Sequence, residues 1–469
     1  MGVSVHNPRD GGFLVQPNNM VAQIGRLREL LETIFTRSRV SVGTRRSAAC
    51  TPDSVEAGRL ALAAAGGLLT ERGHYSRLQL ARRVLAEYSE LGEDGKLAFL
   101  TGLARDYAAD PAAIRKALAD YDAAPSPLRL SRVGKAAEAP RQEILRQLNQ
   151  APMATHALVN MRADIQRYVT TAPDLQALDD DFVHLLRSWF NRGFLVMRAI
   201  DWYSPADLLE RIMRYEAVHS IATWDALRDR LMPSDRRCYG FFHPALGDEP
   251  LIFVEVALTE AIPDSVQALL APDRMVLSPE DARVATFYSI SNCQAGLAGI
   301  SFGQFLIKQV AADLAAEFPA LETFVTLSPI PGFDNWLRRA AAGGDQEAIV
   351  SLAHGEPTPD WDAQDERTRR RMALAARYLV VERNEKGRPA DAVARFHIGN
   401  GARVERLCWL GDTSTRGNAQ SGGLMVNYLY DPSRTSANIE AHGRFGTVDV
   451  SPEVSRLAGL VRPPLRLRA

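Results

Sequence analysis

Cysteine is scarce in this chain. The four present, Cys50, Cys238, Cys293 and Cys408, lie far apart and form no CxxC pair. That excludes a zinc site recognisable by spacing and fits reduced thiols in a cytosolic compartment, each read as a small buried apolar residue. Neither sign of charge is in excess: 55 Lys and Arg face 56 Asp and Glu, so bulk charge recruits neither nucleic acid nor anionic lipid. Apolar runs are short, and the longest, LALAAAGGLL, is about half of the roughly 18 residues needed to cross a bilayer. The first twenty residues mix Pro, Gly, Asn and charge without the apolar stretch of a secretory signal. The chain ends in RLRA, which is no peroxisomal tripeptide. Internal repeats and low-complexity tracts are also missing. These absences point to a cytoplasmic protein with no membrane or nucleic-acid partner.

What is present is an apolar fraction of 46% over 469 residues, enough for a sizeable core and for two or three domains. Residues 1–19 read as a flexible arm. Residues 20–192 read as a helical domain: Val21, Ile24, Leu27, Leu30, Leu31, Ile34 and Phe35 recur at spacings of three and four, as do Leu175, Leu178, Phe182, Leu185, Leu186 and Trp189, each series forming one apolar stripe. TPDSVEAGRL opens with Thr51 as a cap and Pro52 at the first helical position. AAPSPLRLSRVGKAAEAP, with three prolines, reads as a loop between helix pairs. From residue 193 to 469 the grammar is mixed. LIFVEVALTEAI, RVATFYSIS and TFVTLSP are rich in β-branched and aromatic residues and read as strands. FGQFLIKQVAADLAAEF and SPADLLERIMRYEAV, the latter with Ser204 as cap, read as helices between them. DAQDERTRRR reads as a solvated helix face. The fold class is α+β, an all-α bundle followed by a mixed α/β domain.

Two motifs carry chemistry. SNCQAGLAGISFGQFLIK passes from a strand through Gly296, Gly299 and Gly303 into a helix, where backbone N–H groups and the helix N-terminus suit a pyrophosphate; glycines that merely permit a tight turn are the plain reading. The loop is neither a Walker A sequence nor GxGxxG. Inside it, GISFG matches the GxSxG nucleophile elbow, with Ser301 as nucleophile, although the strand-like run ends some residues earlier than the elbow requires. Among nine histidines, His219 and His243 read as structural. His397 ends the strand-like run DAVARF just before a Gly-Asn-Gly turn, where a rigid element presents a side chain to a cleft. Ser328 ends a strand in VTLSPIPGF, with Pro329 and Pro331 restricting the backbone after it. WLGDTSTRGNAQSGG reads as a loop lining a cleft.

Taken together, YSISNCQAGLAGISFGQFLIKQV, TLSPIPGF, FHIGNGA, GLMVNYLYD and RRCYGFFHPALGDEPLIFVEVALT resemble the malonyl-CoA decarboxylase family. The likeness is dense from about Phe194 to Asp431 and looser over the helical third. It implies a helical domain followed by an acetyltransferase-like catalytic domain that binds acyl-CoA. It also implies site residues: His397, Ser328, Ser289 (the first serine of SIS) and Tyr430 (the tyrosine ending GLMVNYLY), with Gly296, Gly299, Ser301 and Gly303 toward the substrate. One position departs, because the family can carry a glutamate in the glycine loop where this chain has Ser301.

The implied reaction is decarboxylation of malonyl-CoA to acetyl-CoA and CO2, a step of fatty acid metabolism. The thioester of the substrate is itself the electron sink, so neither cofactor nor metal is expected. His397 is the expected proton donor and Ser328 the partner of the carboxylate or oxyanion. Other readings remain: a thioesterase using Ser301, an N-acyltransferase needing an amine, and a non-catalytic malonyl-CoA sensor. Homo-oligomerisation through the helical domain is expected from its amphipathic first helix.

Overall fold

The computed structural model describes residues 55–300, 303–355, 357–358, 361–362 and 365–460. The expected arm, the stripe over residues 21–35, the Thr51 cap, Cys50 and Ser301 all lie outside the described residues.

The chain is an α+β protein. Among the described residues, eight α-helices, from Val55–Gly66 to Gln176–Trp189, precede the first strand. Their stripes bury Leu62, Phe99, Leu103, Leu145, Leu158 and Phe182, in one apolar core that continues into the sheet through Leu251, Val254 and Phe287. The proline-rich segment expected to be a loop is instead a helix, Pro127–Ala137, with Ser126 accepting from the Arg129 N–H and Pro127 in the first turn. The prolines bracket this helix rather than break it, because a first-turn proline loses no intrahelical bond. Ser204 does not cap the next region's first helix, Ala206–Tyr215, whose N-cap is Pro205; its hydroxyl accepts from the Asp201 N–H. The charged segment ending at Arg371 does lead into a helix, Glu366–Val380, but Arg371 is buried and pairs with Asp334.

One mixed sheet follows: β1 (Val196–Ala199), β2 (Arg236–Phe242), β3 (Pro250–Thr259), β4 (Val284–Asn292), β5 (Thr323–Thr326), β6 (Ser328–Pro329), β7 (Arg403–Cys408) and β8 (Met425–Tyr430). β1 to β4 pair antiparallel in sequence order. β3 is buried along nearly its whole length, so both faces of the sheet are covered there and its near-continuous apolar run is explained. Its one carboxylate, Glu255, pairs with Arg230 at 3.0 Å. β4 and β5 are the only parallel pair among the described strands, joined by helix Gly303–Glu317.

β5 and β6 both pair with β8, through Phe324↔Tyr430 and Ser328↔Val426. They are therefore two halves of one interrupted strand, with β7 on the opposite edge of β8. The register between β4 and β5 ends at Phe287↔Thr326, with Leu327 N–H donating to the Phe287 carbonyl. β4 continues to Asn292 while β6 follows β8, so the two parallel strands part at Ser328.

Candidate active site

Where the strands part, three side chains from three elements meet. Ser328 opens β6. Tyr430 ends β8. His397 lies in the last turn of helix Ala392–Gly399, which corrects the expected strand: an eight-residue apolar run has no period long enough to decide between the two states. The helix starts where it does because Asp391 caps it, accepting from Val393 N–H at 2.8 Å and Ala394 N–H at 2.9 Å. Helical spacing then puts Ala394, His397 and Ile398 on the buried side.

His397 Nε2 lies 3.2 Å from Ser328 Oγ, and Nδ1 lies 2.8 Å from the Tyr430 hydroxyl. The Ser328 hydroxyl also donates to Thr326 Oγ1 at 2.8 Å. The imidazole is stacked on the Tyr428 ring, 4.5 Å between centroids and 22° between planes. All three side chains are buried: Ser328 is 6% exposed, His397 3% and Tyr430 5%. Burial pushes the pKa of His397 down to about 3, so the ring is neutral in the free protein at ordinary pH. Burial also holds the Tyr430 phenol well above its usual value, so it keeps its proton.

Ser289 belongs to a separate hydrogen-bonded group. Its hydroxyl donates to Glu216, 2.8 Å from either carboxylate oxygen, and Ser291 donates to the same carboxylate at 3.1 Å. Glu216 also accepts from the Val218 and His219 N–H groups. This carboxylate ties the turn after helix Ala206–Tyr215 to the open end of β4. His219 has its pKa lowered, chiefly by burial, and His243 caps a short turn by accepting from the Ala245 N–H at 3.1 Å.

The glycine loop is held from the helical region. Arg162, on helix Ala154–Tyr168, donates to the carbonyls of Gly296 at 2.7 Å and Ala298 at 2.8 Å, and its Nε pairs with Asp179 at 2.8 Å. Gly296 is glycine for a local reason: a Cβ there would collide with the Val159 carbonyl. Gly299 has φ +78° with open space around it, a conformation that only glycine adopts at little cost. Gly303 begins the helix that follows.

Sequence reasoning did not single out Thr326, Tyr428, Glu216 or Asp391. Thr326 had a signal: strand alternation places it on the same side as Ser328, two residues on. Asp391 had one too, as an Asp before a helical run. Cys238, Cys293 and Cys408 are buried and free. Among the described residues no helix is long and apolar enough to cross a membrane.

Comparison with known proteins agrees along most of the chain. Residues 193–466 match the malonyl-CoA decarboxylase C-terminal domain, and residues 107–190 match the N-terminal domain of the same family. The mitochondrial malonyl-CoA decarboxylase of the goose Anser anser anser is 35% identical over 318 residues, 61% of this chain and 62% of that protein. The mouse protein of that name is 34% identical over 60% of this chain and 63% of its own length. The aligned part thus spans somewhat under two thirds of these relatives. The crystal structure of malonyl-CoA decarboxylase from Rhodopseudomonas palustris superposes with a TM-score of 0.81 at 48% identity, covering 85% of this chain and 99% of that one. The Agrobacterium vitis structure gives 0.78 at 45% identity, with the same coverage.

Proposed function

Because the chain belongs to the malonyl-CoA decarboxylase family, we propose that it converts malonyl-CoA to acetyl-CoA and CO2 at the Ser328–His397–Tyr430 cluster. The observation that carries this is the buried imidazole held between a serine hydroxyl and a tyrosine hydroxyl at the point where β4 and β5 part.

The reaction breaks the bond between the α-carbon and the carboxylate. The electron pair moves into the thioester as an enolate, CO2 leaves, and the α-carbon takes up one proton. The protein has to orient the carboxylate, meet the oxyanion and supply the proton. On this reading Ser328 turns its hydroxyl from Thr326 to the carboxylate or the enolate oxygen, an interaction worth about 10²- to 10³-fold. On the same reading His397 supplies the proton, worth about 10²- to 10⁴-fold.

A neutral ring is a poor acid, and the substrate changes that. A malonyl carboxylate beside the imidazole favours its protonated form, since an opposite charge within a few Å raises a histidine's pKa. Departure of CO2 moves that charge onto the enolate, whose α-carbon is then the base that takes the proton from the imidazolium. Tyr430 supports both states, donating to Nδ1 when it is bare and accepting from it when it is protonated. Gly296, Gly299, Gly303 and Ser301 are proposed to line the path of the CoA phosphates, with Arg162 holding the loop in shape.

We place the protein in the cytoplasm, in keeping with its free buried cysteines. We also propose a homo-oligomer formed through the helical region, where helices Pro111–Ala123 and Pro127–Ala137 contain no buried residue. The reaction is tested by incubating the full chain with malonyl-CoA alone and separating acetyl-CoA from free CoA. Acetyl-CoA without an added amine supports the reading, and free CoA as the product opposes it.

A further inference from the structure

We propose that Thr326 is a positioning residue that decides which ring nitrogen of His397 carries the hydrogen in the free site. The assignment rests on hydrogen-bond geometry; only its consequence for turnover rests on the decarboxylase reading.

Thr326 is the last residue of β5 and Ser328 the first of β6, so the two-residue strand period puts both hydroxyls on one side. A serine hydroxyl has a single hydrogen. Ser328 donates its hydrogen to Thr326 Oγ1 at 2.8 Å. It has none left for the imidazole, so in the 3.2 Å contact with His397 the hydrogen belongs to Nε2. Nδ1 is then the acceptor, and the Tyr430 hydroxyl at 2.8 Å is the donor facing it. The chain of donors runs from Tyr430 to His397 to Ser328 to Thr326.

Two donors converge on the Thr326 hydroxyl oxygen. Thr326 is fully buried. Its Oγ1 also accepts from the Tyr428 N–H at 3.3 Å, and its carbonyl accepts from Asn427 Nδ2 at 2.9 Å. Tyr428, whose N–H thus reaches Thr326, is also the residue whose ring lies against His397. One strand segment, β8, therefore orients the ring and the acceptor together. Hydrogen on Nε2 is what a proton donor facing Ser328 requires; the reverse tautomer would turn a bare nitrogen toward the malonyl group.

The test uses the full chain with ¹⁵N-labelled histidine, the His397 signals being identified by their loss in His397→Ala. The parent is expected to show the Nε2–H tautomer. In Thr326→Val the Ser328 hydrogen loses its acceptor and turns to Nε2, so His397 is expected to move to the Nδ1–H tautomer. Thr326→Ser, which keeps the hydroxyl, is expected to look like the parent. In turnover, kcat of Thr326→Val is expected to fall about 10- to 100-fold, as for a misplaced catalytic group, with KM changed by less than about 3-fold. Thr326→Ser is expected to retain kcat within about 5-fold.

An Nδ1–H tautomer in the parent overturns the proposal, as does a Thr326→Val protein that keeps the parental tautomer, or a Thr326→Ser protein that loses it. If Thr326→Val does not fold, the parent and Thr326→Ser spectra still decide. A parent that makes no acetyl-CoA would remove the decarboxylase reading while leaving the tautomer result to stand or fall by itself.

Discussion

Ser328 and His397 are 69 residues apart in sequence and meet at 3.2 Å between Oγ and Nε2. One stands where an interrupted strand restarts and the other in the last turn of a short helix. Their contact depends on three separate local devices: the Asp391 cap that starts the helix, the pairing of β6 with β8, and the Tyr428 ring against the imidazole.

The His397 ring is expected to stay neutral throughout the range in which an ordinary histidine titrates. Its pKa is pushed down to about 3 by burial, against about 6.5 when unfolded. The sign follows from that order. As pH falls below about 6.5 the unfolded chain binds a proton that the folded site does not, so stability is lost, approaching about 1.4 kcal/mol per pH unit, until the folded group titrates near 3. His397→Gln is expected to remove this share of the slope. Chemical denaturation of both proteins at pH 7 and pH 5 checks it, and identical slopes would contradict the neutral ring.

Tyr430→Phe deletes the partner of Nδ1 while preserving the ring. kcat is expected to fall about 10- to 100-fold with a smaller change in KM, since the lost contact serves the transition state more than binding. Steady-state kinetics on malonyl-CoA measure it; a parental kcat would mean that the Tyr430 hydroxyl is not part of the machinery.

Ser289→Ala should behave differently from Ser328→Ala. The Ser289 hydroxyl is committed to Glu216, so its loss leaves a buried carboxylate short of a donor, at a cost of about 1–3 kcal/mol in stability. Turnover at a permissive temperature is expected to fall less than about 5-fold, against the 10²-fold or greater loss expected for Ser328→Ala. Equal losses in the two variants would place Ser289 in the reaction itself.

Gly296→Ala tests why the loop needs that glycine. The added methyl meets the Val159 carbonyl, and backbone cannot yield as a side-chain tip does, so destabilisation of about 1–3 kcal/mol is expected from overpacking alone. Thermal unfolding would show it as a lowered midpoint with or without CoA. A variant as stable as the parent but weakened in CoA binding would instead assign Gly296 to the phosphates.

Much of this architecture is legible in the residues. The apolar stripes of the helical third and the β-branched runs of β3 and β4 carry enough periods to identify themselves, and TLSPIPGF and FHIGNGA mark Ser328 and His397. Short elements are where reading fails. Ala392–Gly399 has barely two turns, too few to separate helix from strand, and the prolines around residues 125–127 hide a helix because first-turn prolines look the same as breakers. Glu216 is invisible for another reason: its meaning comes from hydroxyls 73 and 75 residues away, a relationship that only the folded sheet creates.

The most direct test follows acetyl-CoA, CO2 and free CoA from malonyl-CoA, with His397→Ala alongside the parent. One acetyl-CoA per CO2 is expected, without added amine, and the rate is expected to drop about 10²- to 10⁴-fold in a variant that remains folded. Free CoA as the product, or a His397→Ala protein that turns over like the parent, would contradict the central claim.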